Sequence, residues 1–398
     1  LKTSVFDRLS EVPAATWNSL LAGQATVYGT DFWGVIEDSG LNDIHCRYIL
    51  VSDDDGNPIA AAGFYTITTD IAIFAPRWLR RLLIGVRRLM PGFLRVRILE
   101  CGTPITLVSR PYAARPGADD SAIIVALHDV LMRVARAEGH FLVLWRDFEA
   151  SAAGLRPALE RLGYHWAAGM PNTYVDIRWD SVEEYLSALK SYYRSKLLRH
   201  LRINREAQVS CRLVDDFAAL ADTMCRQWFV VHNQADEFER EVLTPAFYRE
   251  FSARLGARSR ALLFYRGEDM VGHALLYLDG DMLRWLYFGR NEARNDSLYI
   301  LVAYSVIEAA IALGAKRVEM GITTYPVKQD VGARIEQTHI AVRARSGFIN
   351  RFVGAVYPLL NSPPSVRDRE VFKQSLAAAE SAAHGQRHRM FRAGSQNR

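Results

Sequence analysis

The sequence predicts a mixed α/β fold built from two related halves, and three observations carry that expectation. At 398 residues, 49% of them hydrophobic, the chain exceeds the roughly 250 to 300 residues at which one core usually divides. The order hairpin, strand, helix, strand reads twice along it. Between the two passes, near Trp179, the pattern breaks and a basic segment begins.

In the first pass, residues 46–53 and 58–68 read as strands joined by the turn 54–57, which makes a hairpin. Strands follow at 98–107, 141–146 and 173–177, with a helix at 119–137 that opens on acidic residues and stops near Gly139. The second pass has strands at 260–266, 270–278 and 282–288, a helix at 297–313 ending at Gly314, and a strand at 316–320. The expected division is a first domain at 1–179 with an insertion at 71–99, a second at 180–362, and a basic, mobile tail at 363–398.

Cys46, Cys101, Cys211 and Cys225 are far apart and form no CxxC pair. That argues against a disulfide framework or zinc site and for a reducing compartment. Residues 1–7 lack a basic stretch followed by an apolar core, and no apolar run reaches the ~18 residues a spanning helix needs. The expectation is a cytoplasmic protein with no metal. There is no Gly-x-Ser-x-Gly elbow and no Walker loop, which disfavours covalent serine catalysis and phosphoryl transfer. A net charge of +5 fits an anionic partner: coenzyme phosphates, lipid headgroups or RNA.

Residues 71–99 contain no acid but include Arg77, Arg80, Arg81, Arg87, Arg88, Arg95 and Arg97. At ~100° per residue, Trp78, Leu79, Leu82, Leu83, Val86, Leu89 and Met90 share one helical sector and the first five arginines take the opposite one, with only Ile84 misplaced. Such a helix either packs on its own domain or lies in a bilayer interface. The one-sided charge favours the bilayer, with Trp78, Arg80, Leu82, Leu83 and Arg87 as contacts and the apolar segment 348–360 adding to that surface. A second basic stretch, 182–206, reads as helical and carries Lys190, Arg194, Lys196, Arg199, Arg202 and Arg205. Its ordinary reading is a solvated helix face.

Chemistry is expected between Arg284 and His339. The apolar strand ending at Phe288 enters the loop Gly289-Arg-Asn-Glu-Ala-Arg-Asn-Asp296, after which a helix begins. Phe288, Gly289, Arg290 and Arg294 would then line a phosphate site, because helix N-termini offer unpaired N–H groups. An ordinary capped helix after a charged loop is the alternative.

The run Tyr287-Phe-Gly-Arg290, the helix 298–314, Arg-Val-Glu319-Met-Gly321 and the segment from Lys328 to Gly332 resemble the C-terminal domain of GNAT-fold proteins of the Fem-like group. In those families a tyrosine-rich helix precedes a strand ending in a Glu-x-Gly-like pattern, then a lysine, a glycine and a later histidine. Glu319, Gly321, Lys328, Gly332 and His339 match it. Tyr193-Arg-Ser-Lys-Leu-Leu-Arg-His-Leu-Arg202 resembles the Lys-x-x-Arg-x-x-x-Arg stretch that opens their second domain. The resemblance covers 185–343; the first half matches only in element order. It implies two tandem GNAT-like domains with mixed, mostly antiparallel sheets flanked by helices, acyl-CoA as co-substrate and no permanently bound cofactor. One departure stands out. Coenzyme A-binding relatives carry Arg/Gln-x-x-Gly-x-Gly/Ala before this helix, whereas residues 290–295 hold no glycine and Asp296 would repel an anion. The donor is then gripped by Arg290 and Arg294, or is an aminoacyl-tRNA as in Fem-type transferases.

Acyl transfer to an amine of pKa ~10 needs a base, and its transition state needs an oxyanion donor. Glu319 and His273 are the candidate bases, against a core role for His273. Lys328 is a candidate for the oxyanion or donor phosphate, against a surface ion pair. Tyr325 is placed to protonate a leaving thiolate and His339 to orient Glu319; His232 is a weaker candidate. The leading expectation is transfer of a fatty acyl group to a long-chain amine, such as a sphingoid base, at the cytoplasmic face of the inner membrane, on which reading the chain resembles bacterial ceramide synthases. Two alternatives stay open: a Fem-type transferase using aminoacyl-tRNA on a cell-wall precursor or small metabolite, and a non-catalytic membrane-associated adaptor.

Overall fold

The computed structural model describes residues 1–70, 82–83, 85–86, 89–90, 92–106, 108–234, 241–292, 297–360 and 366–373. Two mixed sheets form the frame. The first runs in the order Lys2–Phe6, His45–Ser52, Pro58–Asp70, Arg95–Cys101, Leu142–Phe148, His339–Ala344, His165–Ala168. The second runs Arg334–Glu336, Asn172–Asp176, Arg317–Glu319, Met282–Arg290, Asp269–Asp279, Ser259–Arg266, Val209–Val214.

Each sheet is antiparallel apart from one parallel pair: Arg95–Cys101 beside Leu142–Phe148 in the first, Met282–Arg290 beside Arg317–Glu319 in the second. Parallel neighbours need a crossover. The helices Asp120–Ala137 and Leu298–Ala312 supply it. Asp119 caps the first of these, accepting from the Ser121 amide at 2.9 Å, and Ile123, Ile124, Leu127 and Leu131 bury its inner face. Gly139 follows at φ 75°, a conformation costly for a residue with a Cβ. The expected hairpin is His45–Ser52 with Pro58–Asp70, its turn closed by Asn57 N–H donating to Asp53 Oδ1 at 2.7 Å.

The sheets do not divide where the sequence does. Asn172–Asp176, on the first side of the expected boundary at 179, pairs with Arg317–Glu319 and Arg334–Glu336 in the second sheet. His339–Ala344, on the other side, fills the gap between Leu142–Phe148 and His165–Ala168 in the first. The helix Gly347–Leu360 then packs on that first sheet, with Val353 buried beside Ile98, Leu142 and Ile340. A core is also shared: Phe32 meets Phe251 and Tyr277 with ring centroids 6.4 and 5.2 Å apart, and Trp17, Trp33 and Phe247 belong to the same cluster.

Two further expectations need correction. Residues 182–206 form two helices, Val182–Ala188 and Ser191–Glu206, because Leu189 is extended and Lys190 N–H donates to Val371 O at 2.9 Å. By the same contact, part of the expected mobile tail is docked. Val371 is buried and Phe372 packs against Trp179, Tyr185 and Gly332.

Gly63, on Pro58–Asp70, lies against the Trp33 indole, and a Cβ there would stand 2.0 Å from a ring carbon. Gly63→Ala is expected to lower unfolding free energy by ~1–3 kcal/mol, as overpacking does. A denaturant titration with an unchanged midpoint would show that the indole moves aside freely.

Candidate active site

The parallel pair in the second sheet is joined over only three registers, Met282 with Arg317, Leu283 with Val318 and Arg284 with Glu319. Beyond Glu319 the strands part. A bulge deepens the gap, for Leu275 pairs with Tyr287 and Leu276 with Trp285, so Leu286 is the extra residue. Trp285 to Phe288 on one side and Met320 to Thr324 on the other thus line a cleft of about 570 Å³, within the usual range for small-molecule sites. Thr323 and Thr324 hold φ 75° and 51°. Such values in β-branched residues mark strain that collects at functional sites.

The opposite wall belongs to the first sheet. Ile98, Leu142, Leu144 and Ile340 present one apolar face, and Ile349, Phe352, Val353 and Val356 of the helix Gly347–Leu360 extend it. Glu100, Arg146 and Asp147 give this wall a polar end. Arg146 Nη1 donates to Tyr65 Oη at 2.9 Å and to Pro104 O at 3.2 Å, while Tyr65 Oη donates to Glu100. Asp147 has φ 58°.

Beneath the fork lies a buried ion cluster. Arg284 Nε donates to Asp279 Oδ2 at 2.7 Å, and its Nη1 to Glu319 Oε2. The side chains of Arg284, Asp279 and Glu319 are 4%, 1% and 5% exposed, so these charges have each other and little water. Asn172 Nδ2 donates to Glu319 Oε1 at 2.9 Å and to Tyr174 Oη at 2.8 Å; Tyr174 in turn donates to Glu149 at 2.6 Å. Burial pushes the Glu319 carboxyl up, with the Arg284 guanidinium opposing.

Lys328 is buried in the cleft wall, its Nζ 3.0 Å from both Gly321 O and Ile322 O. Burial pulls its ammonium down to about 7, against the pull of Glu319. A neutral amine has two N–H bonds and one lone pair. The two carbonyls take the hydrogens, which leaves the lone pair for a substrate; protonated, the same nitrogen has a third donor.

Of the residues singled out in the sequence, Glu319, Lys328 and Phe288 line the cleft. His273 does not: it is fully buried behind the strand, with Nδ1 2.9 Å from Gln227 Oε1 and Nε2 3.1 Å from Tyr248 Oη, and burial lowers it to about 3. It is a core histidine. Tyr325 turns its hydroxyl to Pro171 O at 2.9 Å, and His339 stacks on Trp166 in the first sheet at 5.3 Å. His232 stacks on Trp228 at 4.2 Å. Gly289 has a packing role, since a Cβ would come 2.3 Å from His273 Cε1 and 2.7 Å from Trp228 N. Arg290 sits at the strand end over the Phe288 ring. Arg294, Trp78, Arg80 and Arg87 lie outside the described residues; Leu82 is exposed and Leu83 half-buried.

The sequence reading missed Arg284, Asn172, Glu100, Arg146 and Asp147. Three of these had a signal, a charge set inside an apolar strand: Glu100 after Ile-Leu, Arg146 after Val-Leu-Trp, Arg284 between Leu283 and Trp285. The helix Ser191–Glu206 lies beside the start of Leu298–Ala312, with His200 Nδ1 2.8 Å from Ser297 Oγ and Asn204 Nδ2 3.0 Å from Ser297 O. Its exposed Arg199, Arg202 and Arg205 therefore stand near the helix end that favours anions.

Comparison with known proteins bears on the fold. Residues 191–329 match the acetyltransferase (GNAT) domain family. A curated protein of Mycobacterium tuberculosis named "Putative 8-amino-7-oxononanoate synthase 2" is 30% identical over 328 residues, 79% of this chain but only 41% of that protein. The crystal structure of FemX superposes with a TM-score of 0.55 at 12% identity, covering 86% of this chain and 97% of that one. A tandem GNAT protein from the clavulanic acid biosynthesis pathway gives 0.50 at 10% identity, covering 87% and 99%. These structures are alike in fold.

Removing the cation from the cluster leaves two carboxylates buried together. Arg284→Met is expected to cost ~3–5 kcal/mol of stability, the range for breaking a buried ion pair, and Arg284→Met with Glu319→Gln to recover part of it. Equal stability of the single and double variants would mean that water reaches Glu319.

Proposed function

We propose that this chain, whose residues 191–329 match the GNAT acetyltransferase domain and whose fold is that of tandem GNAT proteins, is an N-acyltransferase moving a fatty acyl group from acyl-CoA to the amine of an amphiphilic acceptor such as a sphingoid base. The observation that carries this reading is the two-part cleft. An apolar trough, Ile98, Leu142, Leu144, Ile340 and Val353, leads to a polar end with Glu319 and Lys328. A long acyl or alkyl chain gains free energy along the trough at roughly 0.8 kcal/mol per buried methylene. An acetyl group gains little there.

The parted strands offer main-chain edges to the two amides of a pantetheine arm. Arg290 and the arginines of Ser191–Glu206 would grip its phosphates. Glu100, Asp147, Glu241 and Glu319 outnumber Arg146 and Lys328 around the cleft, which favours a cationic acceptor. In the reaction the amine nitrogen bonds to the thioester carbonyl carbon as its proton passes to the Lys328 lone pair. Glu319 steadies the resulting ammonium. When the carbon–sulfur bond breaks, that proton goes to the departing thiolate, giving free CoA and the amide. Lys328 replaces His273 as the base in this scheme, while Glu319 acts through its charge. An amphiphilic acceptor would be met at a membrane surface, a reading that the arginine-rich sequence 71–99 supports.

A second reading takes aminoacyl-tRNA as the donor, favoured by the basic helix Ser191–Glu206. Thiol release should decide between them. With acyl-CoAs from acetyl to stearoyl, release is expected only when a long chain and a long-chain amine are both present. Silence across the set, with tRNA binding that falls steeply with salt, would transfer the assignment to the second reading.

Turnover at saturating substrates should rise with pH through about 7 as Lys328 loses its proton. Lys328→Met should remove that inflection and ~100-fold of the rate, the typical cost of losing general acid–base catalysis. Glu319→Gln should move the inflection to lower pH, because the charge opposing the effect of burial is gone. An inflection that persists in Lys328→Met would sink this assignment.

A further inference from the structure

The helix Gly347–Leu360 has three faces with different surroundings. One is clamped to the first sheet. Asn350 Nδ2 donates to Gly163 O at 2.8 Å, Asn350 Oδ1 accepts from Ala344 N at 2.8 Å, and Asn350 O lies 2.7 Å from His165 Nε2. Gly354 lets the imidazole approach, since a Cβ there would be 2.6 Å from His165 Nδ1. The second face, with Ile349, Phe352, Val353 and Val356, lines the catalytic cleft. The third faces outward and is apolar: Phe348 is 70% exposed, Phe352 54% and Val356 47%. Phe352 and Val356 thus belong to the cleft lining and to the outer surface at once.

The surroundings of this helix are cationic. From Gln337 to Arg367 the sequence has no acidic residue, and Arg345 and Arg351 are exposed. Strand register brings further groups to the same end of the first sheet. Phe141, also exposed, donates its N–H to Arg97 O and accepts from Arg345 N, so Arg97, Phe141 and Arg345 follow one another across three neighbouring strands. An exposed aromatic row on a helix flanked by arginines suits an interface of acyl chains and anionic headgroups.

We propose that this surface is the footing of the protein on an anionic bilayer, and that the helix Gly347–Leu360 is the side wall of a lateral entrance through which a lipid chain slides from the bilayer into the cleft. The inference rests on the acyl-transfer reading for what enters, but its binding half stands alone. Its chemistry is specific: an exposed phenylalanine row takes up apolar chains, and Arg97, Arg345 and Arg351 take up phosphate charge. With the cleft lining continuous with that row, an alkyl chain keeps apolar contact along its path.

Phe348 and Arg351 stand outside the cleft lining, so they can be changed without altering the catalytic site. The full chain is sedimented with phosphatidylglycerol vesicles and with phosphatidylcholine vesicles. The intact protein is expected to partition onto the anionic vesicles at least 10-fold more strongly. Phe348→Asp with Arg351→Glu should remove most of that preference while the thermal midpoint stays in place. Turnover of a long-chain pair dispersed in detergent micelles should be unchanged, and turnover of a bilayer-embedded amine should fall in step with binding. Undiminished vesicle binding by the double variant would overturn the assignment, as would self-association through this face without vesicle binding. Should no acyl transfer occur with any substrate, the sedimentation result still decides the surface, so the two readings fail separately.

Discussion

A guanidinium buried away from water must be neutralised where it stands, and much of this structure is arranged around doing so for Arg284. Asp279 and Glu319 flank it. The other oxygen of Asp279 accepts from the Thr26 hydroxyl at 2.8 Å, so the pair reaches into the first half of the chain. The other oxygen of Glu319 accepts from Asn172, on the strand lent to the second sheet. Charge burial of this kind adds little stability by itself and is tolerated when every partner is in place. Its effect is positional: four separate segments must be correctly assembled before Arg284 is satisfied, and Glu319 then stands at the fork of the parallel strands.

The cleft is consequently a joint product. The second sheet supplies the fork and Glu319, with Lys328 beside it; the first sheet and the helix Gly347–Leu360 packed on it supply the apolar wall and the Glu100, Arg146 and Asp147 group. Burial in the cleft wall is what pulls the Lys328 ammonium down, against the opposing charge of Glu319. Neither sheet alone would enclose the cleft. The GNAT architecture accounts for the fork, and the pairing of two such sheets accounts for the length and polarity of the cleft.

Much of the architecture was legible because it follows local rules. Both crossover helices, the first hairpin and the strands about Glu319 are set by hydrophobic period and turn residues. Glu319, Lys328 and Phe288 could be placed from their order along the chain. His273 could not be judged, because a histidine in an apolar strand looks the same whether it faces substrate or, as here, Gln227 and Tyr248. Gly289 looked like a phosphate residue, while its actual neighbour is the Trp228 backbone. The exchange of strands left no local trace: Asn172–Asp176 and His339–Ala344 have ordinary strand sequences, and pairing partners far away in the chain decide which sheet each joins.

That exchange also bears on how the polypeptide is made. Leu142–Phe148, rich in apolar side chains, emerges from the ribosome well before its neighbour His339–Ala344. Until then the nascent first sheet presents an open edge beside Val143 and Trp145, which a foreign strand can join as readily as the native one. Delayed closure of this kind is slow by its high contact order. It makes the newly synthesised chain, more than the finished protein, the species in need of a holding chaperone.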